Sequence, residues 1–250
     1  MNKLKGKVAI ITGGSTGIGR EIALSISKEG ASVAINYSRS KIEAEETGEE
    51  IRKIGTRAML IQADISKEDD VINMMKKVYT NFGRLDMLVN NAGYTEFVPH
   101  KDLQSLTEEM WNKIFSVNVK GNYFCSKEAV IYMLKNGGGS IINIAGTAGI
   151  TGLGSSIAYC ASKAAIISLT KSLALSLAPE IQVNAISPGV VENTRWCRGK
   201  EDFNEIARKA TPMKRLARTT DIAETAVFLF TSSHFITGQN IIVDGGRVVN

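Results

Sequence analysis

Short apolar runs alternate with longer segments of helical period along most of the chain. The seven apolar runs are VAIIT, SVAIN, AMLIQAD, LDMLVNNAG, SIINIAG, IQVNAISPG and NIIVDGG. Between them, helical periodicity covers residues 17–29, 41–54, 69–81, 107–134 and 156–177. Strands that are apolar on both faces belong to a parallel sheet with helices on both sides. The pattern therefore predicts a doubly wound α/β fold with a seven-stranded parallel sheet.

Residues 190–218 interrupt this alternation. The segment is long and charged, and it lies between the sixth predicted strand and the next helix. Long connections in compact domains are often active-site lids, so we expect a substrate lid here. The alternative is an ordinary helical insertion at the surface. Residues in this segment and after the fourth strand favour a polar or anionic ligand: Arg195, Trp196, Arg198, Thr95 and Glu96.

The length and composition are those of an ordinary globular protein. A chain of 250 residues suits one domain, and we expect residues 1–250 to form it. Apolar residues make up 44% of the chain and charged residues 22%. Its apolar runs stay short of the roughly 20 residues of a membrane span, and its N-terminus has no secretory pattern. We therefore expect a cytoplasmic protein with no membrane association.

The cysteine, histidine and charge patterns argue against two classes of partner. Cys125, Cys160 and Cys197 lie far apart in sequence, and only two histidines, His100 and His234, accompany them. This spacing fits neither a disulfide framework nor a zinc site, so reduced thiols are expected. The formal charge is +5, but lysine and arginine are interspersed with acidic residues. We therefore expect no metal and no nucleic-acid partner, and some anion binding.

The sequence TGGSTGIG directly follows the first predicted strand and opens the first helix. Glycine lets the backbone approach a pyrophosphate, and a helix N-terminus offers free N–H groups and a favourable dipole. Three glycines alone are a weak signal, because tight turns use them too. Their place in an alternating β/α pattern predicts a dinucleotide site in a Rossmann fold. The residues assigned to it are Gly13, Ser15, Thr16, Gly17, Ile18 and Gly19.

The residues after the second strand bear on which dinucleotide binds. The sequence NYSRSK contains no carboxylate to accept hydrogen bonds from a free ribose 2′-hydroxyl, and it supplies Ser38, Arg39 and Lys41. A guanidinium pairs well with a 2′-phosphate. We therefore expect NADP, with NAD as the alternative, since Arg39 also fits as a solvated loop residue.

Tyr159 and Lys163 are four residues apart and so share one face of the helix predicted at 156–177. An ammonium group tunes the acidity of a nearby phenol. The pair therefore suits proton transfer to or from a substrate oxygen. The alternative is a surface tyrosine with a lysine one turn away.

These pieces together resemble the short-chain dehydrogenase/reductase family over essentially the whole chain, and most of all its members related to 3-oxoacyl-carrier-protein reductases and glucose dehydrogenases. The resemblance implies a homo-oligomer, which we expect to be a tetramer, and the two long helices carry more apolar surface than the sheet needs. The matching motifs, in the family's order and spacing, are TGGSTGIG, Asp64 after the third strand, NNAG, Asn118 in FSVNVKG, YCASK, SPG and TGQNIIVDGG.

The resemblance also implies roles for individual residues. Tyr159 would be the acid/base that protonates a substrate carbonyl as hydride arrives, and Lys163 would hold the nicotinamide ribose and lower the pKa of the phenol. Asn118 would position a water that connects Lys163 to solvent. Further cofactor contacts are implied for Asp64 and Ile65 at the adenine, for Asn91, Ala92 and Gly93 beside it, and for Pro188, Gly189 and Val190 along the nicotinamide.

One catalytic group of the family is missing. The family has a serine thirteen positions before the tyrosine, and that position is Gly146 here. Losing one donor to a substrate oxygen costs roughly 2.7–4 kcal/mol, about a hundred- to thousandfold in rate. Thr147 is the replacement we favour, and Ser155, Ser156 or a water are alternatives.

The resulting expectation is an NADP(H)-dependent oxidoreductase that interconverts a carbonyl and a secondary alcohol on a small or medium polar substrate. The rival is a catalytically impaired dinucleotide-binding protein, acting as a sensor or as a partner in an oligomer. Gly146 supports the rival, whereas the joint presence of Asn118, Tyr159 and Lys163 opposes it.

Overall fold

A computed structural model describes residues 2–249 and contains one seven-stranded sheet. Its strands are β1 (Val8–Ile11), β2 (Ser32–Tyr37), β3 (Ala58–Gln62), β4 (Met87–Asn90), β5 (Gly139–Ile144), β6 (Ile181–Pro188) and β7 (Asn240–Val243). Every neighbouring pair of strands is parallel, in the order β3-β2-β1-β4-β5-β6-β7. The predicted sheet is thus confirmed.

Helices cover both faces of this sheet because its strands are apolar on both sides. The helices are α1 (Gly17–Lys28), α2 (Lys41–Ile54), α3 (Glu68–Phe82), α4 (Glu108–Phe115), α5 (Asn122–Lys135), α6 (Ala148–Thr151), α7 (Ile157–Leu177), α8 (Glu201–Ala210) and α9 (Thr219–Thr231). In β1, Ala9 and Ile11 join the core under α1, α2 and α9, whereas Val8 and Ile10 join the core under α3 and α5.

The helix predicted at 107–134 is not one regular α-helix. A π-helical segment, Ser116–Gly121, lies between α4 and α5. Within it, Asn118 is almost fully buried and is held by the backbone of Tyr94. At its end, Gly121 packs so closely on Ile65 that a Cβ would lie 2.9 Å from the Ile65 carbonyl oxygen. The π-helical turn coincides with these two contacts, which sequence periodicity does not reveal.

The strand order reverses between β1 and β4, which are neighbours in the sheet. In doubly wound sheets, ligands bind in the crevice beyond the carboxyl ends of the strands at such a switch point. The loops that leave β1 and β4 carry Gly13 and Asn91. The topology therefore brings the glycine-rich loop and the NNAG motif to one crevice.

The segment at 190–218 is closed at its base and contains α8. Val191 pairs with Ala217 in a parallel bridge, and the Ala217 N–H donates to the Val190 carbonyl at 3.0 Å. Both ends of the segment therefore meet beside the end of β6. The predicted lid is thus a helical excursion from the sheet, and its movement stays a prediction.

Helix α7 is long and rich in apolar residues. It is the single helix among residues 2–249 that is long and apolar enough to cross a membrane by composition, with a mean hydropathy of 1.2 over 18 residues. One flank of α7 packs against the sheet and buries Lys163 and Ala174. Only a third of the apolar window is buried, and Leu175 is 86% exposed. Leu175 is the one large apolar side chain of α7 that is exposed, and its exposed neighbours are small or polar.

Candidate active site

The glycine-rich loop needs glycine for two different reasons. Gly13 and Gly17 have φ values of +60° and +56°, in the left-handed region that other residues rarely adopt. At Gly19, a Cβ would overlap the side-chain amide of Asn91 and the carbonyl oxygen of Gly13. The first two glycines therefore shape the turn, and the third permits close packing of α1 against the end of β4.

The N-terminus of α1 is left open for an anion. Thr16 precedes the helix in an extended conformation, and none of the described side chains caps it. Within 4 Å, a Cβ on Gly17 would meet only the Thr194 methyl group, at 3.7 Å. Free N–H groups and the helix dipole at such an end suit a pyrophosphate, so the loop fits a dinucleotide. Thr194, which the sequence analysis did not single out, lies over this loop.

Two amide side chains brace the loop. Asn91 donates from Nδ2 to the carbonyl oxygens of Thr12 and Gly13, at 2.9 and 3.0 Å. The buried Asn36 accepts from the Gly13 N–H at 3.4 Å and donates to the Ala63 carbonyl at 3.1 Å. Asn91 thus supports the loop in this structure. Asn36 and Thr12 support it as well, which was not predicted although both lie within quoted motifs, because their hydrogen bonds join separate loops.

Two other predicted loop residues face the protein. The carbonyl of Ser15 accepts from the hydroxyl of Thr47 at 3.1 Å, which ties the loop to α2. Ile18 is partly buried and packs against the core under α1. Their contribution to a dinucleotide site would therefore come from backbone N–H groups and from shape.

The loop after β2 exposes Ser38 and Arg39, as the cofactor prediction requires. A second arginine also reaches this region: Arg195 donates to the Ser40 hydroxyl at 2.8 Å and lies 3.5 Å from the Glu43 carboxylate. The 190–218 segment thus brings the Arg195 guanidinium to the loop that follows β2, a contact that the sequence did not predict. Arg198 is exposed.

Asp64 and Ile65, expected at the adenine, have defined local roles. The Asp64 carboxylate accepts from the backbone and the hydroxyl of Ser66, at 3.0 and 2.7 Å. Burial favours the neutral acid, but these hydrogen bonds outweigh it and lower the pKa of Asp64. Ile65 is buried against Gly121. An ionised Asp64 at the end of β3 is compatible with the predicted contact.

Tyr159 and Lys163 lie one turn apart near the start of α7. Ser156 caps the helix by accepting from the Tyr159 N–H at 3.3 Å. Lys163 is buried, and its Nζ atom donates to the Ile144 carbonyl at 2.8 Å and lies 5.6 Å from the centre of the Tyr159 ring. The predicted pair is therefore together at the end of β5.

Burial controls the titration of both groups. It raises the pKa of the Tyr159 phenol and lowers the pKa of Lys163 from 10.5 to about 8. The expected lowering of the phenol pKa by Lys163 is not seen in this arrangement, in which the ammonium turns toward the Ile144 carbonyl. Near neutral pH, Tyr159 is protonated and Lys163 is mostly charged.

The Asn118 side chain connects the loop after β4 to helix α7. Oδ1 accepts from the Tyr94 N–H at 2.7 Å, and Nδ2 donates to the Tyr94 carbonyl at 3.0 Å and to the Ser162 hydroxyl at 2.9 Å. A Cβ on Gly93 would lie 3.6 Å from Asn118 Oδ1 and 3.9 Å from Lys163 Nζ. Asn118, Gly93 and Lys163 therefore meet, whereas the predicted water relay stays a prediction.

The remaining predicted cofactor residues sit at the ends of β4 and β6. The Ala92 N–H donates to the Thr12 hydroxyl at 3.0 Å. The Pro188 carbonyl accepts from the Thr147 N–H at 3.0 Å, and the Gly189 N–H donates to the Val243 carbonyl at 3.0 Å. These bonds join the ends of β5, β6 and β7 at one edge of the sheet.

Gly146 occupies a position that does not require glycine. Its backbone lies outside the left-handed region, and a Cβ would have one neighbour within 4 Å, the Lys163 Cγ atom at 3.9 Å. That distance is an ordinary van der Waals contact. A serine side chain would therefore start from an unstrained Cβ at the end of β5.

The three replacement hydroxyls have different surroundings. The Ser155 hydroxyl pairs with that of Thr95, and the Ser156 hydroxyl caps α7. Thr147 follows Gly146 directly and is partly exposed, and its hydroxyl makes no hydrogen bond to the part of the chain that the structure describes. Thr147 is thus the one with an uncommitted hydroxyl.

Aromatic side chains from two distant segments cover Tyr159. The Trp196 ring lies 5.3 Å from the Tyr159 ring and 4.9 Å from the Phe97 ring. The Lys200 ammonium lies 3.1 Å from the centre of the Phe97 ring. Phe97 and Lys200 were not singled out from the sequence, because nothing in their local pattern signals that residues so far apart along the chain meet. Glu96, which the sequence analysis associated with the ligand, accepts a hydrogen bond from the Tyr94 hydroxyl.

The fold and these residues define a dinucleotide-binding oxidoreductase, and comparisons with known proteins identify the family. A family model described as Enoyl-(Acyl carrier protein) reductase matches residues 13–247. The 3-oxoacyl-[acyl-carrier-protein] reductase FabG of Staphylococcus epidermidis is 40% identical over 244 residues, 96% of this chain and 98% of the relative. The chain belongs to the short-chain dehydrogenase/reductase family, as predicted, and is an NAD(P)-dependent enzyme of that family close to 3-oxoacyl-carrier-protein reductases.

Solved structures agree with this assignment. A short-chain type dehydrogenase/reductase from Mycobacterium marinum superposes with a TM-score of 0.91 at 32% identity, covering 98% of this chain and 96% of the other. An NAD+-bound xylitol dehydrogenase superposes with a TM-score of 0.89 at 32% identity, covering 97% and 99%. The fold is therefore shared over nearly the full length of both chains.

Proposed function

We propose that the protein is an NADP(H)-dependent oxidoreductase that interconverts a carbonyl and a secondary alcohol, with Tyr159 as the acid/base. The observation that carries this proposal is the pairing of Tyr159 with the buried Lys163 at the end of β5, on the same sheet edge as the open glycine-rich loop. The bound nicotinamide supplies hydride for reduction and accepts it for oxidation. In reduction, Tyr159 gives its proton to the carbonyl oxygen as the carbonyl carbon takes up the hydride, which yields the alcohol.

Lys163 and Asn118 have supporting roles in this proposal. Lys163 would hold the nicotinamide ribose by exchanging its Ile144 carbonyl acceptor for ribose hydroxyls. Asn118 would keep Tyr94 and Gly93 in place beside Lys163, since its side chain binds the Tyr94 backbone from both ends of the amide. Proton delivery to Lys163 through a water near Asn118 is part of the same proposal.

Thr147 is proposed as the donor to the substrate oxygen. Its hydroxyl is uncommitted among the described residues, and its backbone is fixed to Pro188 by a 3.0 Å hydrogen bond. Ser155 or a water remains the alternative donor. Ser156 is the weaker choice because it is fully buried and caps α7.

The preference for NADP rests on charge at the end of β2. Arg39 is exposed there. Arg195 forms an ion pair with Glu43, the first carboxylate in α2, and so neutralises it. A 2′-phosphate would thus meet a positively charged surface. NAD is the alternative, and a relative of the same fold is a xylitol dehydrogenase with NAD+ bound.

The second candidate function is a dinucleotide-binding protein with impaired catalysis, and Gly146 is the observation that favours it. A panel of carbonyl compounds and secondary alcohols, including 3-oxoacyl thioesters, followed by NADPH absorbance, tests the two candidates. Turnover of any member supports the enzyme. Tight NADPH binding without turnover across the panel, in both the natural chain and Gly146→Ser, supports the impaired protein.

The assembly and location complete the proposal. Exposed apolar side chains on α5 and α7, namely Ile131, Leu134 and Leu175, favour a homo-oligomer, and a tetramer is the state that the family resemblance implies. We also propose a single domain over residues 1–250, with 190–218 as its lid, in the cytoplasm. Light scattering at micromolar concentration tests the assembly, and a monomer would contradict it.

A further inference from the structure

We propose that Lys200 recognises an anionic group on the substrate, so that the substrates of this enzyme are carbonyl or hydroxyl compounds bearing a carboxylate or a similar anion. This inference rests on the proposed oxidoreductase function, because it concerns the substrate of the Tyr159 site. The side chains of Lys200 and Tyr159 are connected through Trp196.

A continuous stack of side chains links the two residues. The Trp196 ring contacts the Tyr159 ring at 5.3 Å, and the Lys200 Nζ atom lies 5.7 Å from the same Trp196 ring. One indole therefore separates the ammonium from the phenol. The ammonium therefore lies no farther than about 11 Å from the centre of the Tyr159 ring. A compound with its carbonyl at Tyr159 could present an anionic group to Lys200 by extending along Trp196 or displacing it.

The Lys200 ammonium is buried without a hydrogen-bond acceptor among residues 2–249. An ammonium has three donors, and leaving them unsatisfied away from water is costly. The rings of Phe97 and Trp196, at 3.1 and 5.7 Å, compensate in part through cation–π attraction. A carboxylate would supply the missing acceptors and an opposite charge, which is the stronger interaction.

Carboxylates near this stack are otherwise engaged or exposed. Glu96, next to Phe97, accepts from the Tyr94 hydroxyl. Glu201 and Asp202 follow Lys200 on α8, but both are exposed to solvent. Within the described chain, no carboxylate forms an ion pair with Lys200. The charge of Lys200 is therefore available to a ligand.

The competing explanation is a structural latch, in which Lys200 only fastens the 190–218 segment to Phe97. The two explanations differ in selectivity. A latch would affect charged and neutral substrates equally, because it acts through the position of the segment. Anion recognition would affect only the charged member of a matched pair.

Lys200→Met tests this difference, because methionine keeps most of the length and apolar contact of lysine and removes the charge. Lys209→Met is the matched control, since Lys209 lies on α8 and faces Glu205. The substrates are 2-, 3- and 4-oxo acids and their methyl esters, assayed with NADPH. We expect Lys200→Met to lower kcat/KM for the preferred acid by about 10- to 100-fold and for its ester by less than about threefold.

If Lys200→Met lowers kcat/KM equally for the acid and its ester, the inference is overturned in favour of a latch. If kcat/KM for the acid is unchanged, the inference is overturned outright. Turnover of the esters at the same time would leave the proposed oxidoreductase function intact. Absence of turnover for every compound would instead count against that function.

A binding measurement tests the role of Lys200 even if no compound is turned over. With Trp111→Phe, Trp196 becomes the one tryptophan, and its fluorescence reports on the stack. We expect butanoate to change the emission of the NADPH complex more than butanamide does, and Lys200→Met to remove the difference. Identical responses to the two probes would overturn the inference whether or not turnover is detected.

Discussion

The Nζ atom of Lys163 donates a 2.8 Å hydrogen bond to the carbonyl oxygen of Ile144, two residues before Gly146. The buried ammonium is thereby fastened to the end of β5, at the point where the family resemblance expects a serine. Lys163 Cγ is also the one atom near a Cβ built on Gly146, at 3.9 Å. A side chain added there would enter the site beside Lys163 without displacing the backbone.

Gly146→Ser should therefore be accepted by the fold and should raise kcat if the site works without a full set of donors. One added donor to the substrate oxygen is worth up to about a hundredfold in rate. The change in midpoint of thermal unfolding should be small. Steady-state kinetics on the best substrate of the panel measures the gain.

Gly149→Ser is the control for that substitution. A Cβ at Gly149 would lie 2.5 Å from the Lys163 carbonyl carbon, so this serine cannot fit against α7. We expect loss of stability and of activity together. A stable Gly146→Ser protein with no gain in kcat would contradict the idea that the site lacks a donor to the substrate oxygen, and would leave Thr147 as the donor already in place.

Thr147→Val tests the proposed replacement donor. Valine keeps the shape and removes the hydroxyl, so kcat should fall by about a hundred- to thousandfold, with a small change in cofactor affinity. Ser155→Ala provides the comparison, since its hydroxyl already pairs with Thr95. If Thr147→Val retains full activity, Thr147 is not the donor, and a loss in Ser155→Ala would transfer the role.

The cofactor preference should depend on Arg39. Arg39→Ala removes one charge-assisted contact to the 2′-phosphate, and we expect NADPH affinity to fall by about 10-fold or more while NADH affinity stays within about twofold. Titration calorimetry measures both affinities. Lys53→Ala is the control, because Lys53 is exposed in the last turn of α2, at the opposite end of the helix from this loop. Equal affinities for the two cofactors in the natural chain would reject the assignment.

The buried Lys163 should make stability depend on pH in a defined direction. Its pKa is lowered from 10.5 to about 8, so the charged form destabilises the folded state below pH 8, and this penalty is relieved as the pH rises toward 10.5. The free energy of unfolding of the natural chain, relative to Lys163→Met, should rise by about 2 kcal/mol between pH 7 and pH 9.5. The raised pKa of Tyr159 acts in the opposite direction only above about pH 10.

Denaturant unfolding at a series of pH values measures this difference. Lys171→Met, on the exposed side of α7, is the control and should give a flat difference over the same range. A flat difference for Lys163→Met as well would mean that Lys163 is not buried in solution as it is in the structure.

The fold follows closely from the apolar pattern because β1 and its neighbours are buried on both faces, which leaves few alternatives for runs such as VAII. The predicted helix at 41–54 has the same bounds as α2. The π-helical turn at Asn118 was not predicted, because it depends on a contact with Tyr94 that helical periodicity does not encode.

The site was predictable only where its residues lie within one motif. Tyr159 and Lys163 come together because helix spacing fixes their separation. Three other relationships depend on how the chain folds back on itself: Trp196 on Tyr159, Arg195 beside Ser40, and the Lys163 bond to Ile144. Each of these contacts joins residues from separate elements, so no local sequence pattern predicts it.

The central claim, that Tyr159 is the acid/base, is tested most directly by Tyr159→Phe. The ring and its stacking on Trp196 remain, and only the proton donor is removed. The account predicts that single-turnover absorbance with the best substrate shows loss of hydride transfer by at least about 10²-fold, with NADPH affinity within about twofold of the natural chain. Hydride transfer at the natural rate in Tyr159→Phe, with NADPH bound, would contradict the claim.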